Sequence, residues 1–360
     1  MFTRDFRKLR AAGGAILAVL LVCVGVNAAL LGLTRAVEVR YGSYPWKNED
    51  WLRVLLPTLW SGHGQNRILI AGGSEAREDL LYELFDESFP GLRTFHGGQS
   101  QGTFEQLMLT LEYVERVHGR SAVPHTLVLG VNLRFVANLP RGRSPLFAAI
   151  DKYSPQFRVQ NGPDGPRLTD KGLLDSVLAR TRFLLFKQSP RYLSAVASVG
   201  KHALPEDHRS AGITSWLQIY GSPYKYQELP RMTPEDIRAG ISRPTSFWVP
   251  VHQWEPDADA PAIRRQFARL LAFTREHGVR LYVVNLPENV WVRDRYQFGR
   301  YERYEALVRE SLGNTPFLDL RTMLGPDEFY DAGHATLPGA LRVSRRVIDF
   351  VRDHAGMARR

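Results

Sequence analysis

Residues 68–80 decide the fold of this chain, and they read Ile68-Leu69-Ile70-Ala71-Gly72-Gly73-Ser74-Glu75-Ala76-Arg77-Glu78-Asp79-Leu80. The apolar run at the start predicts a buried strand, and the two glycines allow a tight turn because glycine has no Cβ. Apolar residues then recur at helical spacing, which predicts a helix from about 75 to 85. Ser74 thus lies where a strand turns into a helix. It is either an N-cap or an exposed hydroxyl beside the free N–H groups of the helix.

The same alternation continues along the chain. Further strands are predicted at 92–95, 126–129, 280–285 and 317–320, with helices near 103–117, 262–277, 301–312 and 338–351. Strands that alternate with helices indicate βαβ units and a parallel sheet. The fold class is therefore α/β: a three-layer α/β/α sandwich, flavodoxin-like, with about five mostly parallel strands. Residues 65–137 and 261–356 would form this domain, and 138–260 would be an insertion that serves as a lid or a substrate platform.

The composition bounds the classes of function. The chain has a net charge of +10 and is 44% hydrophobic, which fits a basic globular protein. Basic proteins bind nucleic acids, membranes or anionic polymers, and the alternating topology disfavours the first. Cys23 is the only cysteine, so neither an intrachain disulfide nor a cysteine-based metal site can form. Residues 98–102 lack the glycine spacing of a dinucleotide site. We expect no metal and no cofactor.

The N-terminus predicts a membrane anchor. Residues 1–10 form a basic tail, and residues 11–34 contain no charged side chain. A membrane-spanning helix needs about 20 such residues, and basic residues before it keep the N-terminus in the cytoplasm. The protein would then be a single-pass protein of the inner (cytoplasmic) membrane, with its body extracytoplasmic, that is, periplasmic. Signal-peptide cleavage near 26–28 is the alternative. Residues 35–64 form an aromatic connector, which lies at the bilayer surface or packs on the domain.

Three residues at predicted strand ends suggest a nucleophilic site. Ser74 follows the first strand, and Asp331 and His334 follow the last one. Ligands of open parallel sheets bind at the carboxyl ends of the strands. His334 is a suitable base for a serine hydroxyl, and Asp331 would hold its tautomer. The simpler alternatives are a capping serine, a turn aspartate and a surface histidine.

Three further residues would stabilise an oxyanion. Gly97 and Gly98 end the second predicted strand, and Asn132 ends the third. A glycine can present a backbone N–H without obstruction, and the Asn132 amide with the Ser74 N–H would complete a three-donor oxyanion hole. The glycines alternatively serve only the chain path, and Asn132 only a turn.

These residues resemble the SGNH (GDSL) hydrolase superfamily, whose blocks contain a Ser, a Gly, an Asn and a His with an Asp three residues before the His. The matching blocks are Gly72-Gly73-Ser74, Gly97-Gly98, Gly130-Val131-Asn132 and Asp331-Ala332-Gly333-His334. Two positions depart from the pattern, because Gly73 and Leu133 stand where that family usually has Asp. The serine elbow of α/β-hydrolases, Gly-x-Ser-x-Gly, is a near miss at residues 72–76.

With an anchor, the chain resembles the membrane-bound branch that includes the D-alanyl transfer protein DltD and the acyl transfer proteins of polysaccharide O-acetylation. The resemblance implies a membrane-anchored extracytoplasmic serine acyltransferase or esterase that acts on acyl groups of cell-envelope glycan. It implies three partners: the membrane, an acylated envelope polymer and a membrane-bound O-acyltransferase. The alternative is a non-catalytic scaffold for such an acyltransferase, or a glycan-binding protein.

Overall fold

The structure is a computed structural model that describes residues 67–98, 102–137, 156–162, 165–176, 232–242, 254–294 and 299–355, with residues 150, 151 and 154 and parts of 13–29. Within it the strands are β1 (Arg67–Gly72), β2 (Arg93–Gly98), β3 (Thr126–Val131), β4 (Phe157–Gly162), β5 (Gly165–Asp170), β6 (Arg280–Asn285) and β7 (Phe317–Asp319). The helices are α1 (Ser74–Asp79), α2 (Tyr82–Ser88), α3 (Phe104–His118), α4 (Leu133–Ala137), α5 (Pro234–Ser242), α6 (Pro256–His277), α7 (Val290–Arg293), α8 (Arg300–Leu312) and α9 (Leu337–Ala355).

Five strands form one parallel sheet. Their order is β2-β1-β3-β6-β7, and each neighbouring pair is parallel. The predicted α/β class with about five mostly parallel strands is confirmed. From β1 the chain passes to β2 on one side of β1. It then crosses to β3 on the other side of β1, and β6 and β7 follow beyond β3. The point where the order reverses therefore lies between β1 and β3, which is where ligands bind in sheets of this kind.

Helices cover both faces of this sheet, so β1 and β3 are buried at every position. On one face Ile68 and Ile70 pack with Phe85 of α2 and with Val343 and Val347 of α9. Because side chains alternate along a strand, the remaining residues of β1 point to the opposite face. The two faces give the three layers that position the strand ends.

On the opposite face α3 packs against β1, and α6 packs against both α3 and α8. Phe104 of α3 packs edge-to-face against Phe267 of α6, with ring centroids 4.6 Å apart. Phe135 of α4 lies 5.1 Å from the Phe104 ring. These aromatic contacts fix α4, which directly follows β3, against the body of the domain.

Three glycines form a row across the carboxyl ends of neighbouring strands, since Gly72 pairs with both Gly98 and Gly130. Helix α1 passes close over this row. A Cβ at Gly130 would lie 2.8 Å from Ala76 Cβ, and a Cβ at Gly98 would lie 2.8 Å from the backbone nitrogen of Arg77. Gly72 also has φ +142°, which disfavours a side chain. The glycine row therefore lets α1 approach the sheet.

The predicted helix at 75–85 is wrong as a single element. The structure has two helices, α1 and α2, because Leu80 and Leu81 adopt extended backbone angles. Ser344 Oγ of α9 accepts the N–H of Leu81 at 2.8 Å and donates to the carbonyl of Asp79 at 3.1 Å. This side chain replaces hydrogen bonds that a continuous helix would have made. Strand β2 also extends to Gly98, beyond the predicted end at 95.

The predicted anchor, connector and insertion lie largely outside the described residues. Residues 13–15, 17–19, 21–26 and 29 are helical, and no described helix combines the length and the apolar character needed to cross a membrane. The connector at 35–64 is not described. Of the insertion at 138–260, the described part includes β4 and β5, which form a two-stranded sheet, and α5. The five-stranded sheet and the site below belong to one compact unit.

Candidate active site

Asp331 and His334 face each other in the loop that follows β7. Both carboxylate oxygens of Asp331 contact Nδ1 of His334, Oδ2 at 2.8 Å and Oδ1 at 3.0 Å. Oδ1 also accepts the backbone N–H groups of Gly333 and His334, each at 2.8 Å. These contacts fix the imidazole orientation and direct its Nδ1 to the carboxylate. The proton-exchanging position of the ring is then Nε2.

The surroundings favour the charged form of both residues. Burial would lower the pKa of His334, but the hydrogen bond and charge of Asp331, with the charges of Glu75 and Glu78, raise it to about 9. Burial would raise the pKa of Asp331, but the hydrogen bond and charge of His334 and the loop N–H groups lower it. At neutral pH the pair is therefore mainly an imidazolium–carboxylate ion pair.

Ser74 is the first residue of α1, and its side chain does not cap that helix. The N-cap is Gly73, and it makes no side-chain capping bond. The hydroxyl of Ser74 instead donates to Glu75 Oε2 at 3.2 Å and accepts from Arg134 Nη2 at 3.1 Å. Within the described part of the chain no hydrogen bond joins Ser74 to His334. The capping alternative is wrong, and the hydroxyl is engaged by a carboxylate and a guanidinium.

Asp79 joins the serine helix to the histidine loop. It is fully buried at the end of α1, and its Oδ1 accepts the backbone N–H of Ala335 at 2.9 Å. Burial raises the pKa of Asp79 well above its ordinary value; the Ala335 N–H and the His334 charge act in the opposite direction. Through this contact, the loop after β7 is joined to the end of α1.

Asn132 lies at the end of β3 and caps α4. Its Oδ1 accepts the backbone N–H of Phe135 at 2.8 Å, and the side chain is buried. Because one end of the amide is held by the cap, Nδ2 is the end available as a donor. The capping role and the predicted oxyanion role are therefore compatible.

Gly97 and Gly98 lie inside β2, where a loop was expected. A Cβ at Gly97 would come within 2.7 Å of the carbonyl oxygen of Ile70, and Gly98 is packed under Arg77. Both glycines are thus required by close packing. The chain-path alternative explains them fully, and their role as oxyanion donors stays a prediction.

The charged residues that surround Ser74 are not evident from the sequence. Arg134, Glu75 and Glu78 are buried charged residues, and charged residues are normally read as solvent-exposed. One signal was present, since Glu75, Glu78 and Asp79 recur at the i, i+3, i+4 spacing of a single helix face. Asn289 was also missed. It is buried, and its Nδ2 donates to the carbonyl of Asp331 at 3.4 Å.

The chemistry of these residues is proton transfer and charge stabilisation. Among the described residues, no group of three or more histidine, cysteine, aspartate or glutamate side chains is arranged to hold a metal ion.

No protein-family model matches the chain, and no curated protein matches it either. A functional assignment therefore rests on the geometry of the site itself.

Proposed function

We propose that this chain is a membrane-anchored extracytoplasmic serine acyltransferase or esterase that acts on acyl groups of cell-envelope glycan. One observation carries the proposal: the carboxylate of Asp331 holds Nδ1 of His334 in a loop that is hydrogen-bonded to the helix that begins with Ser74. Serine acyl transfer uses this pairing. Its location at the carboxyl ends of parallel strands, beside the reversal point of the sheet, is also where ligands bind.

In this mechanism Ser74 Oγ attacks the acyl carbon of the donor while its proton passes to Nε2 of His334. The bond between the acyl carbon and the leaving group breaks, and the leaving group departs with that proton. A glycan hydroxyl or water then attacks the ester, and its proton returns through His334 to Oγ. Asp331 stabilises the imidazolium at each stage, and Asn132 donates to the oxyanion.

The mechanism requires one rearrangement from the described state. The hydroxyl of Ser74 now donates to Glu75, so its O–H must turn about the Cβ–Oγ bond to donate to His334. Rotamer changes of this kind are fast compared with enzymatic turnover. Substrate entry would accompany the turn, since hydrogen bonds of catalytic residues are often completed only in the substrate complex.

The location part of the proposal rests on the N-terminus. Apolar side chains in this segment are exposed in the described residues, among them Leu17, Leu21 and Val22. Exposed apolar surface of this kind marks a membrane or partner contact, and four basic residues precede it. A membrane-bound O-acyltransferase would be the natural source of acyl groups on the extracytoplasmic side of the membrane. A reporter fused at Arg360 that is active only in the cytoplasm would contradict this topology.

A second candidate function has its own supporting observation. Ser74 Oγ is held by Glu75 and Arg134, and the two Asp positions of the resembling family are Gly73 and Leu133. A protein that binds a membrane acyltransferase or a glycan without catalysis would have no need of an aligned serine. The two candidates differ in whether Ser74 becomes acylated.

The deciding experiment uses the purified full chain with an activated ester, p-nitrophenyl acetate. If the enzyme proposal is correct, mass spectrometry finds acetyl on the peptide that contains Ser74, and Ser74→Ala loses both the label and the turnover. Ser311→Ala is the matched control, because within the described residues that hydroxyl bonds only the carbonyl of Leu307 in its own helix. Absence of acetyl on Ser74, with turnover equal in the wild type and Ser74→Ala, would favour the scaffold.

A further inference from the structure

Arg134 contacts the oxygen atom that the proposed reaction uses. Its Nη2 donates to Ser74 Oγ at 3.1 Å and lies 3.3 Å from Glu75 Oε2, while Nη1 lies 3.0 Å from Glu75 Oε1. Ser74, Glu75 and Arg134 are 5%, 2% and 8% exposed. A guanidinium, a carboxylate and a serine hydroxyl are therefore gathered in one buried cluster at the carboxyl ends of β1 and β3.

Packing alone does not account for a cation at this position. Burying an ion pair costs several kcal/mol per ion, and apolar residues of the same volume often stabilise a protein as well or better. Arg134 lies on α4, two residues after Asn132, and the sheet order brings the ends of β1 and β3 side by side. The cation is consequently placed at the point where a ligand is expected.

The hydrogen-bond inventory of Ser74 Oγ leaves room for chemistry. A serine hydroxyl has one proton to donate and two lone pairs that accept. The proton goes to Glu75 and one lone pair accepts from Arg134. The second lone pair is left to attack an acyl carbon, and the contact with Arg134 can persist while the proton changes its acceptor.

We propose that Arg134 is a further catalytic residue of the Ser74 site, whose Nη2 stabilises the negative charge that develops on Oγ as this oxygen attacks and leaves. The inference rests on the proposed function. In acylation, Oγ loses its proton to His334 while the Oγ–acyl bond forms. In deacylation, that bond breaks and its electron pair returns to Oγ. A fixed cation at Oγ lowers the barrier of both steps.

Glu75 is a positioning residue in this arrangement. Its Oε2 accepts a hydrogen bond from Nη2, and its Oε1 lies 3.0 Å from Nη1 in the same ion pair, which holds the guanidinium beside Ser74. Glu75 also balances the positive charge, so that Arg134 is stable when no substrate is bound. The Arg134 donor is additional to the oxyanion hole, because it serves the serine oxygen rather than the carbonyl oxygen of the substrate.

The test measures the burst phase (acylation) and the steady state (deacylation) with p-nitrophenyl acetate. Arg134→Met keeps a long unbranched side chain without charge, and Arg134→Lys keeps the charge. We expect Arg134→Met to slow both phases by roughly 100-fold, the usual loss for one transition-state donor, and Arg134→Lys to recover most of that loss. Arg352→Met is the control: that arginine lies on α9, where it bonds the carbonyl of Ser88.

Arg134→Met leaves Glu75 buried without its cation, which can prevent folding. A second variant keeps the test valid in that case. In Arg134→Met combined with Glu75→Gln both charges are replaced, which is far less costly than removing one. A folded double variant should show the same slow burst. Two results would overturn the role of Arg134 and leave Ser74 acylation intact. One is a folded variant with rates within about twofold of the wild type, and the other is an equal loss of rate in the Met and Lys variants. A wild type without any Ser74-dependent burst would overturn the proposed function and this inference together.

Discussion

At the scale of single residues, the surroundings of His334 set the pH dependence. A general base works only in its neutral form, and the carboxylates around His334 raise its pKa to about 9. We therefore expect kcat/KM for Ser74 acylation to rise about tenfold per pH unit below that pKa and to level off near pH 9. The measurement is the pH profile of ester turnover, after subtraction of the Ser74→Ala rate to remove reaction with hydroxide.

The control for this prediction is Asp331→Asn. Removing the carboxylate takes away the main partner that raises the pKa of His334, so the plateau should begin at lower pH. The plateau itself should be much lower, because an amide can hold the wrong imidazole tautomer. A profile that levels off near pH 6.5 in the unmodified protein would contradict the ion-pair description of this site.

Asn132 allows the capping role and the oxyanion role to be separated. Asn132→Ser keeps a capping oxygen for the Phe135 N–H but lacks the amide donor. We expect it to retain the wild-type Tm within a degree or two, since serine and asparagine are similar caps, and to acylate Ser74 about 100- to 1000-fold more slowly. Asn132→Ala should acylate Ser74 as slowly as the serine variant and should also lose about 1 kcal/mol of stability. A serine variant with the wild-type rate would reduce Asn132 to a cap.

At the scale of elements, the glycine row determines how closely α1 approaches the sheet. A Cβ at Gly130 would lie 2.8 Å from Ala76 Cβ, and Gly130 does not have positive φ. Gly130→Ala therefore tests packing alone, and we expect a loss of about 1–3 kcal/mol from overpacking. Gly172→Ala is the matched control, since a Cβ there meets nothing within 4 Å. Equal Tm values for the two variants would show that α1 has freedom to shift.

The break between α1 and α2 depends on one hydroxyl. Ser344 Oγ serves the N–H of Leu81 and the carbonyl of Asp79, and it is fully buried. Ser344→Ala leaves two buried backbone groups without this partner, so urea unfolding should show a loss of about 1–3 kcal/mol. Ser311→Ala removes a hydroxyl that bonds the carbonyl of Leu307 in its own helix, and its stability should stay within about 0.5 kcal/mol of the wild type. A neutral Ser344→Ala would mean that another group takes over the bonds.

At the scale of the whole molecule, the sequence predicts the sheet well. The predicted strand at 280–285 coincides with β6, and the runs at 68–71 and 126–129 fall within β1 and β3. These strands are buried on both faces, so each is a nearly continuous apolar run that is visible without any tertiary information. The strand-end rule then also placed Ser74, Asn132 and His334 at the same edge.

Tertiary contacts explain what the sequence did not reveal. The break after Asp79 depends on Ser344, which lies 265 positions away, and no local pattern reports such a partner. The burial of Arg134 and Glu75 is equally non-local, because each makes the other tolerable inside the protein. The strand-end location of the candidate site could be predicted from the sequence, whereas the buried charges around it could not. Its activity stays a prediction for the experiments above.

The contact between Asp79 and Ala335 has a consequence for the order of folding. It joins residues 256 positions apart, so a growing chain completes β1 to β3 long before the partner of Asp79 exists. Contacts of such long range form late, because the entropy of closing the loop must first be overcome.

The Leu81 amide, which donates to Ser344 of α9, reports on the docking of α9 against α1 and α2. In pulse-labelled refolding it should gain protection from hydrogen exchange after the amides of β1 and β3. Simultaneous protection would indicate that α9 docks early and belongs to the folding nucleus. A chain truncated before α9 would then lose that nucleus as well as the helix that supports the histidine loop.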